Sequence, residues 1–299
     1  MALLLTFQPP GFQFPPLMLL KPVLQNGALL ADLKTASTVG DRVHVWWLGQ
    51  SGFLLKCGDA CILLDPYLSD SLTQKYAKTD KPHVRMTERV IAPEKLDMVS
   101  VVTSSHMHTD HFDEATLRPL AVSNAGLKIV LPEANLALAR SRLPDAGVEW
   151  VPINHNAVLT VGGWKITGIA AAHNEVERDD AGRCRFLGYI LARNGITIYH
   201  SGDTLWHPGL VPELLEHKCD LMLLPINGHK PHRGVAGNLN GTEAAALAKA
   251  CGAGLVVPCH YEMFKFNTEP PDEFVMACER LGQPHHLMRC GQRLTIGKK

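Results

Sequence analysis

The segment SSHMHTDHFDE, residues 104–114, contains three histidines and an aspartate within six positions. Imidazole and carboxylate groups bind divalent metal ions, and a polar turn has no reason to combine them so densely. His106 and His108 are two residues apart, so in extended backbone they would project to the same side and hold one ion. Asp110 and His111 follow where a helix should begin, and adjacent side chains diverge there. This second pair would therefore serve a second, nearby ion.

Further metal-competent side chains come directly after other apolar, strand-like runs. They are Asp65 after CILL, His173 after ITGIAAA, Asp203 after IYHSG and His260 after LVVPC. Ligand sites in layered sheet proteins gather in the loops beyond strand ends, so these ends could converge. His173 would complete a three-histidine set for the first ion. Asp203 could bridge the two ions, and His260 could complete the second site.

Composition narrows the class of partner. The chain has 299 residues, 46% of them hydrophobic, which is enough for a large core. Lys plus Arg equals Asp plus Glu at 29 each, so no basic field indicates a nucleic-acid or membrane partner. No uninterrupted apolar run reaches the roughly 18 residues of a membrane span. A small neutral or anionic substrate fits this balance better.

Cysteine usage bears on the compartment. The eight cysteines are scattered, with no CxxC pair and no dense framework, as expected of reduced thiols. The apolar N-terminus is interrupted by prolines and has no basic residues ahead of it, unlike a secretory signal. Together these features predict a cytoplasmic protein.

The order of apolar runs predicts the domain organisation. Residues 1–40 are predicted to be an arm with one short helix at NGALLADLKTAS, and residues 41–299 a single domain. Short apolar runs punctuated by Gly, Asp and Pro predict a series of strands. Helices are predicted at FDEATLRPLA, capped by Asp113, at NGTEAAALAKACGA, capped by Asn240 or Thr242, and at PPDEFVMACERLG. The pattern favours sheets packed inside helices.

The motifs HMHTDH, AAH, SGDT and PCH resemble those of the metallo-β-lactamase-fold hydrolases, over residues 43 to about 296. The resemblance implies an α/β (α+β) fold, a four-layer αββα sandwich with a dinuclear site on one edge. In that family Asp65 matches a structural aspartate that orients the site. The implied metal ligands are His106, His108, Asp110, His111, His173, Asp203 and His260.

Within that superfamily, WLGQSGFLLKCGDACILLDPYLSD and the Arg233–Gly234 pair look like the branch that includes L-ascorbate-6-phosphate lactonase. This implies hydrolysis of a small anionic lactone or ester by a metal-activated hydroxide, and an oligomer is plausible. The ligand types suit two divalent ions, zinc or manganese, with iron also suitable. The lactonase favours manganese and the superfamily favours zinc.

Roles within the site follow from this chemistry. Asp110 and His260 are the predicted catalytic residues, with Asp110 the best placed to orient the attacking water and take up its proton. Lys230, His232 and Arg233 lie among glycines and are predicted to grip a phosphate or carboxylate of the substrate. Two alternatives stay open: a phosphodiesterase or nuclease using the same centre, and a metal-binding protein without catalysis.

Overall fold

The computed structural model describes residues 18–36, 42–230 and 237–297. The first part of the predicted N-terminal arm lies outside these ranges, as do the predicted anion-binding residues His232 and Arg233. Within the described ranges, no helix is long and apolar enough to cross a membrane.

The first sheet has seven strands. They are β1 Arg42–Gly49, β2 Gly52–Cys57, β3 Ala60–Leu64, β4 Val101–Thr103, β5 Lys128–Pro132, β6 Glu149–Ile153 and β13 Arg293–Gly297. Their order is β13-β1-β2-β3-β4-β5-β6. Pairing is antiparallel from β13 to β3 and parallel from β3 to β6.

The second sheet has six strands. They are β7 Val158–Val161, β8 Trp164–Ala170, β9 Leu187–Arg193, β10 Ile196–His200, β11 Leu221–Pro225 and β12 Leu255–Cys259. Their order is β12-β11-β10-β9-β8-β7. The strands β10, β11 and β12 are parallel, so their carboxyl ends meet at one edge of the sheet.

Helices cover the outer faces of both sheets. They are α1 Gly27–Thr35, α3 Glu114–Ser123, α4 Leu136–Arg142, α5 Leu210–His217, α6 Gly241–Ala250 and α7 Asp272–Leu281, while α2 Ser71–Lys75 packs in a separate cluster with Tyr67 and Phe264. Leu33 of α1 and Leu120 of α3 pack into an apolar cluster with the outer face of the first sheet. Ala244 of α6 and Phe274 of α7 pack with the second sheet. The result is the four-layer αββα sandwich that the family resemblance implies.

Strand β1 shows why both faces of the first sheet are apolar. Val45 and Trp47 belong to the core that also contains the second sheet, whereas Trp46 and Leu48 belong to the cluster under the helices. Successive side chains of a strand point to opposite faces, so a run covered on both sides must be apolar at nearly every position. The run VHVWWLG therefore identifies a strand that is buried on both faces.

The predicted helix ends differ in how they are capped. Asn240 caps α6 with a capping box, in which its side chain accepts from the Glu243 backbone N–H at 2.8 Å. Asp113 occupies the N-cap of α3 but makes no side-chain cap bond, contrary to the prediction. Its carboxylate instead accepts from the hydroxyls of Ser71 at 2.8 Å and Thr116 at 2.5 Å. The sequence reading also missed β13, which pairs with β1.

Candidate metal centre

The predicted metal-binding residues lie in loops that directly follow strands. The cluster 106–111 follows β4 of the first sheet, while His173, Asp203 and His260 follow β8, β10 and β12 of the second. Asp65 follows β3. The structure brings these loops together at one edge of the sandwich, where the two sheets meet.

The backbone around His106 differs from the extended segment that was expected. Residues 105–112 form bends and turns, so the argument from strand alternation was wrong here. The backbone N–H groups of His111 and Phe112 donate to the His108 carbonyl at 3.0 and 2.8 Å. The His106 and His108 rings lie 4.5 Å apart between centroids, on a segment of bends just before this turn.

The side chains form two groups, within each of which the ligand atoms lie within 4.8 Å of one another. The first ligand set is His106, His108, His173 and Asp203, and the second ligand set is Asp110, His111 and His260. Asp203 joins them, because its Oδ1 lies 3.3 Å from His111 Nε2 and 3.6 Å from His260 Nε2. Two adjoining positions for cations therefore share one carboxylate.

The donor atoms of both sets fit a divalent ion. Three of these donor atoms are buried and have no hydrogen-bond partner among the described residues: His106 Nε2, His111 Nε2 and Asp203 Oδ1. Leaving a buried polar atom unsatisfied costs about 1–3 kcal/mol, so native proteins seldom do so. Bound cations would satisfy these atoms, and histidine nitrogen with carboxylate oxygen is a common donor set for divalent transition metals.

The electrostatics of the site also favour cations. Burial lowers the pKa of His106 well below its ordinary value, which keeps the imidazole neutral as a ligand must be. Burial also opposes protonation of His111 and His260. Asp203 and Asp110 nevertheless raise the pKa of His111 well above its usual range and that of His260 to about 9. The carboxylates thus attract positive charge, which metal ions would supply in place of protons.

Asp65 fixes the orientation of His111. This buried carboxylate lies 2.6 Å from His111 Nδ1, and its other oxygen accepts from the Ser105 backbone N–H at 2.8 Å. A hydrogen bond from Nδ1 leaves Nε2 as the nitrogen that faces the second ligand set. Asp65 therefore occupies the position that its predicted orienting role requires.

Gln50 is a site residue that the sequence reading missed. Its Nε2 lies 2.9 Å from Asp110 Oδ2 and 2.9 Å from His260 Nε2. The backbone carbonyl of Gln50 accepts from the backbone N–H of His260 at 3.0 Å and from the indole N–H of Trp47 at 2.9 Å. The sequence did contain an indication of its role, because Gln50 directly follows the apolar run of β1, just as the metal-binding residues follow other apolar runs.

The centre opens into a cleft of about 980 Å³. His108, Asp110, His173 and Asp203 line it from the metal centre. A second group of lining residues lies on α2 and the segments near it: Ser71, Leu72, Lys75, Tyr76, Lys81, His83, Phe266 and Asn267. Both groups would face a substrate bound in the cleft.

The loop predicted to bind an anion is only partly described. Lys230 forms an ion pair with Glu269 and is not among the described residues that line the cleft. Gly237, at the far end of the loop, has φ +83°, and a Cβ there would lie 1.6 Å from the His173 carbonyl oxygen. Only glycine fits this contact, so the backbone at Gly237 packs directly against a member of the first ligand set.

Known proteins resemble the chain in sequence and in fold. A family model described as a beta-lactamase superfamily domain matches residues 61–261. A UPF0173 metal-dependent hydrolase of Rubrobacter xylanophilus is 30% identical over 265 residues, which is 84% of this chain and 96% of that protein.

Two solved structures show a similar fold. An isothiocyanate hydrolase from Delia radicum gut bacteria has a TM-score of 0.68 at 19% identity, with 85% of this chain and 100% of that chain covered. Igni18, a metallo hydrolase of Ignicoccus hospitalis, has a TM-score of 0.62 at 23% identity, with 86% and 100% covered. With the family match and the two ligand sets, these likenesses lead to one conclusion. The chain belongs to the metallo-β-lactamase superfamily and is a metal-dependent hydrolase.

Proposed function

We propose that the protein hydrolyses a small anionic lactone or related ester with two divalent ions, in the manner of an L-ascorbate-6-phosphate lactonase. The observation that carries the proposal is the pair of ligand sets joined by Asp203 at a cleft of about 980 Å³. A cleft of this size is typical of small-molecule sites, which run to about 1,000 Å³. It supports a compact substrate over a long nucleic acid.

The proposed reaction assigns a separate role to the metal ions, to Asp110 and to Gln50. Two divalent ions, zinc or manganese with iron also suitable, would activate a water and stabilise charge on the attacked oxygen and on the leaving oxygen. Asp110 lines the cleft, which supports its proposed role of orienting that water and accepting its proton. Gln50 donates to Asp110 at 2.9 Å and thereby holds the carboxylate in place. When the lactone ring opens, its ring oxygen departs as an alkoxide. Stabilisation of the negative charge on that oxygen therefore matters more than a strong general acid.

Two lysines of the cleft support an anionic substrate. Lys75 and Lys81 line it, and neither forms an ion pair with another residue in the described part of the chain. Arg142 also lines the cleft, but its guanidinium is bound to Glu114 at 2.7 Å and to backbone carbonyls. Lys75 Nζ lies over the Tyr76 ring at 5.2 Å, and both lysines keep their charge available to a substrate phosphate or carboxylate.

The test is hydrolysis of L-ascorbate 6-phosphate by metal-stripped protein that is resupplied in turn with manganese and zinc. We expect metal-restored turnover, and a loss of at least about 100-fold in Asp203→Ala, because this carboxylate belongs to both sites. Asp179→Ala is the matched control, since Asp179 binds Arg183 at the surface.

A phosphodiester, bis(p-nitrophenyl) phosphate, is assayed in parallel. Turnover of this ester alone would replace the lactonase proposal with the phosphodiesterase alternative. If protein that has rebound metal acts on neither compound, the lactonase proposal is refuted.

A further inference from the structure

Two buried amide side chains line the cleft beside the metal centre. Asn227 is 2% exposed and Asn238 is 1% exposed, and both belong to the cleft lining. The side-chain oxygen of each is buried and has no hydrogen-bond partner among the described residues. Buried amide oxygens are nearly always satisfied in native proteins, so two unsatisfied ones in one cleft indicate a missing partner that donates hydrogen bonds.

Asn227 has its other amide atom already engaged. Its Nδ2 donates to the side-chain oxygen of Asn267 at 2.8 Å, and Asn267 also lines the cleft. Turning the Asn227 amide over would bring two carbonyl oxygens together, which is repulsive. While Asn267 presents its oxygen to Asn227 Nδ2, the Asn227 oxygen remains an acceptor.

Asn238 is held between loops that carry two members of the first ligand set. Its neighbour Gly237 packs against His173, and its neighbour Leu239 donates to the Thr204 carbonyl at 2.9 Å, one residue beyond Asp203. The backbone N–H of Gly228, next to Asn227, donates to the Leu239 carbonyl at 3.0 Å. Both amides are thus positioned by the same backbone that positions the metal ligands.

We propose that Asn227 and Asn238 form a subsite that accepts hydrogen bonds from substrate hydroxyl groups, next to the first ligand set. The inference rests on the proposed function and adds that the substrate is polyhydroxylated, as a sugar-derived lactone is. An acceptor pair repels carboxylate and phosphate, so the anionic end of the substrate must lie elsewhere in the cleft. Lys75 and Lys81 provide that place.

The subsite is tested by calorimetric binding of two probes to metal-loaded protein. D-gluconate and 5-hydroxypentanoate each have one carboxylate and a terminal hydroxyl, but only gluconate has the secondary hydroxyls. We expect gluconate to bind at least about 10-fold more tightly, since sites built to bond a hydroxyl discriminate against analogues that lack it.

Variants assign this preference to the amides. Asn227→Leu and Asn238→Leu should each reduce the preference for gluconate about 5- to 10-fold, because each removes one acceptor, and leave 5-hydroxypentanoate binding unchanged. Asn238→Asp keeps an acceptor oxygen and should preserve the preference. Asn135→Leu is the matched control, a buried asparagine that donates to the Arg185 carbonyl.

Equal binding of the two probes to the unaltered protein would overturn the inference without any variant, as would a preference that both leucine variants retain. Lactone hydrolysis measured on the same samples separates this result from the proposed function. A hydroxyl preference that depends on the amides, in protein that hydrolyses no lactone, would refute the lactonase proposal and leave the subsite standing.

Discussion

The two ligand sets differ in how firmly the protein holds them. In the second set His111 and His260 are fully enclosed, whereas in the first set His108 is exposed and His173 is partly so. His108, His173 and Asp203 line the cleft, together with Asp110 of the second set. We infer that an ion at the second set would be held more firmly, and that the first set would meet the substrate.

The hydrogen bonds around each set show the same difference. Asp65 lies 2.6 Å from His111 Nδ1, and Gln50 contacts both other members of the second set. In the first set the ring nitrogens have longer contacts than His111 Nδ1 has, 3.0 Å from Ser105 Oγ to His106 Nδ1 and 3.3 Å from His173 Nδ1 to the Gly237 carbonyl.

Three residues in or beside the second set have a strained backbone. Gln50, Asp65 and His260 have φ values of 51°, 40° and 63°, in the left-handed region that non-glycine residues seldom adopt. Such strain persists only where the surroundings impose it, and it occurs most often at functional sites. The second set is therefore expected to be preorganised before an ion binds.

Asp65→Asn tests the strongest of these contacts. Loss of the carboxylate beside His111 should weaken the more tightly held ion about 10- to 100-fold, because an oriented and basic imidazole is a better ligand. The ion at the first set should be weakened less, because Asp65 reaches His106 only through the Ser105 hydroxyl. Stepwise titration of metal-stripped protein with Co²⁺, followed by its visible absorption, resolves the two events.

Asp32→Asn is the control for this titration, since Asp32 accepts a hydrogen bond from Trp46 Nε1 at 2.8 Å, away from the centre. Equal weakening of both ions by Asp65→Asn would show that the two sets do not differ in the way described.

Gln50→Met tests the weaker of the contacts to the second set, the hydrogen bond from Gln50 to Asp110. Methionine approximates the shape of glutamine but cannot donate to Asp110. We therefore expect about 10-fold weaker binding of the ion at the second set, the lower end of the loss of one hydrogen bond to a charged group. The same titration measures it. Gln283→Met is the matched control, a buried glutamine that donates to the carbonyls of Ala253 and Pro284. Identical metal affinity in Gln50→Met and the unaltered protein would contradict the bracing role.

The metal-binding residues could be predicted from sequence, whereas Gln50, which contacts two of them, could not. Each metal-binding side chain follows an apolar run, and such histidines and aspartates rarely cluster without a metal, so local pattern was enough to predict them. Gln50 follows an apolar run too, but glutamine is not a common metal ligand. Its partners Asp110 and His260 are 60 and 210 residues away, and only the folded chain shows that they meet.

The role of the segment 71–83 in lining the cleft was not predicted from sequence, for a different reason. The letters SLTQKYAKTDKPH are polar and lysine-rich, and such a stretch usually forms a solvated surface. Its placement depends on aromatic contacts with distant residues: His83 lies 4.4 Å from Tyr76 and 4.8 Å from Phe266 between ring centroids. These contacts help to hold Lys75 and Lys81 at the cleft, which no local pattern could show.

The smallest expected effect belongs to these lysines. Lys75→Gln and Lys81→Gln should each raise the KM for an anionic lactone about 2- to 5-fold and leave kcat unchanged, because exposed charges attract weakly through water. A neutral lactone should respond to neither change. Added salt should reduce the difference between the variants and the unaltered protein, since it screens exposed charges.

Lys78→Gln is the control for both variants, since Lys78 is exposed on the same segment but is not among the described residues that line the cleft. An equal effect of all three substitutions would mean that only the overall charge of the segment matters. A fall in kcat would instead place the lysines near the reacting bond, and the contrast between a metal-holding region and a substrate-holding region would need to be redrawn.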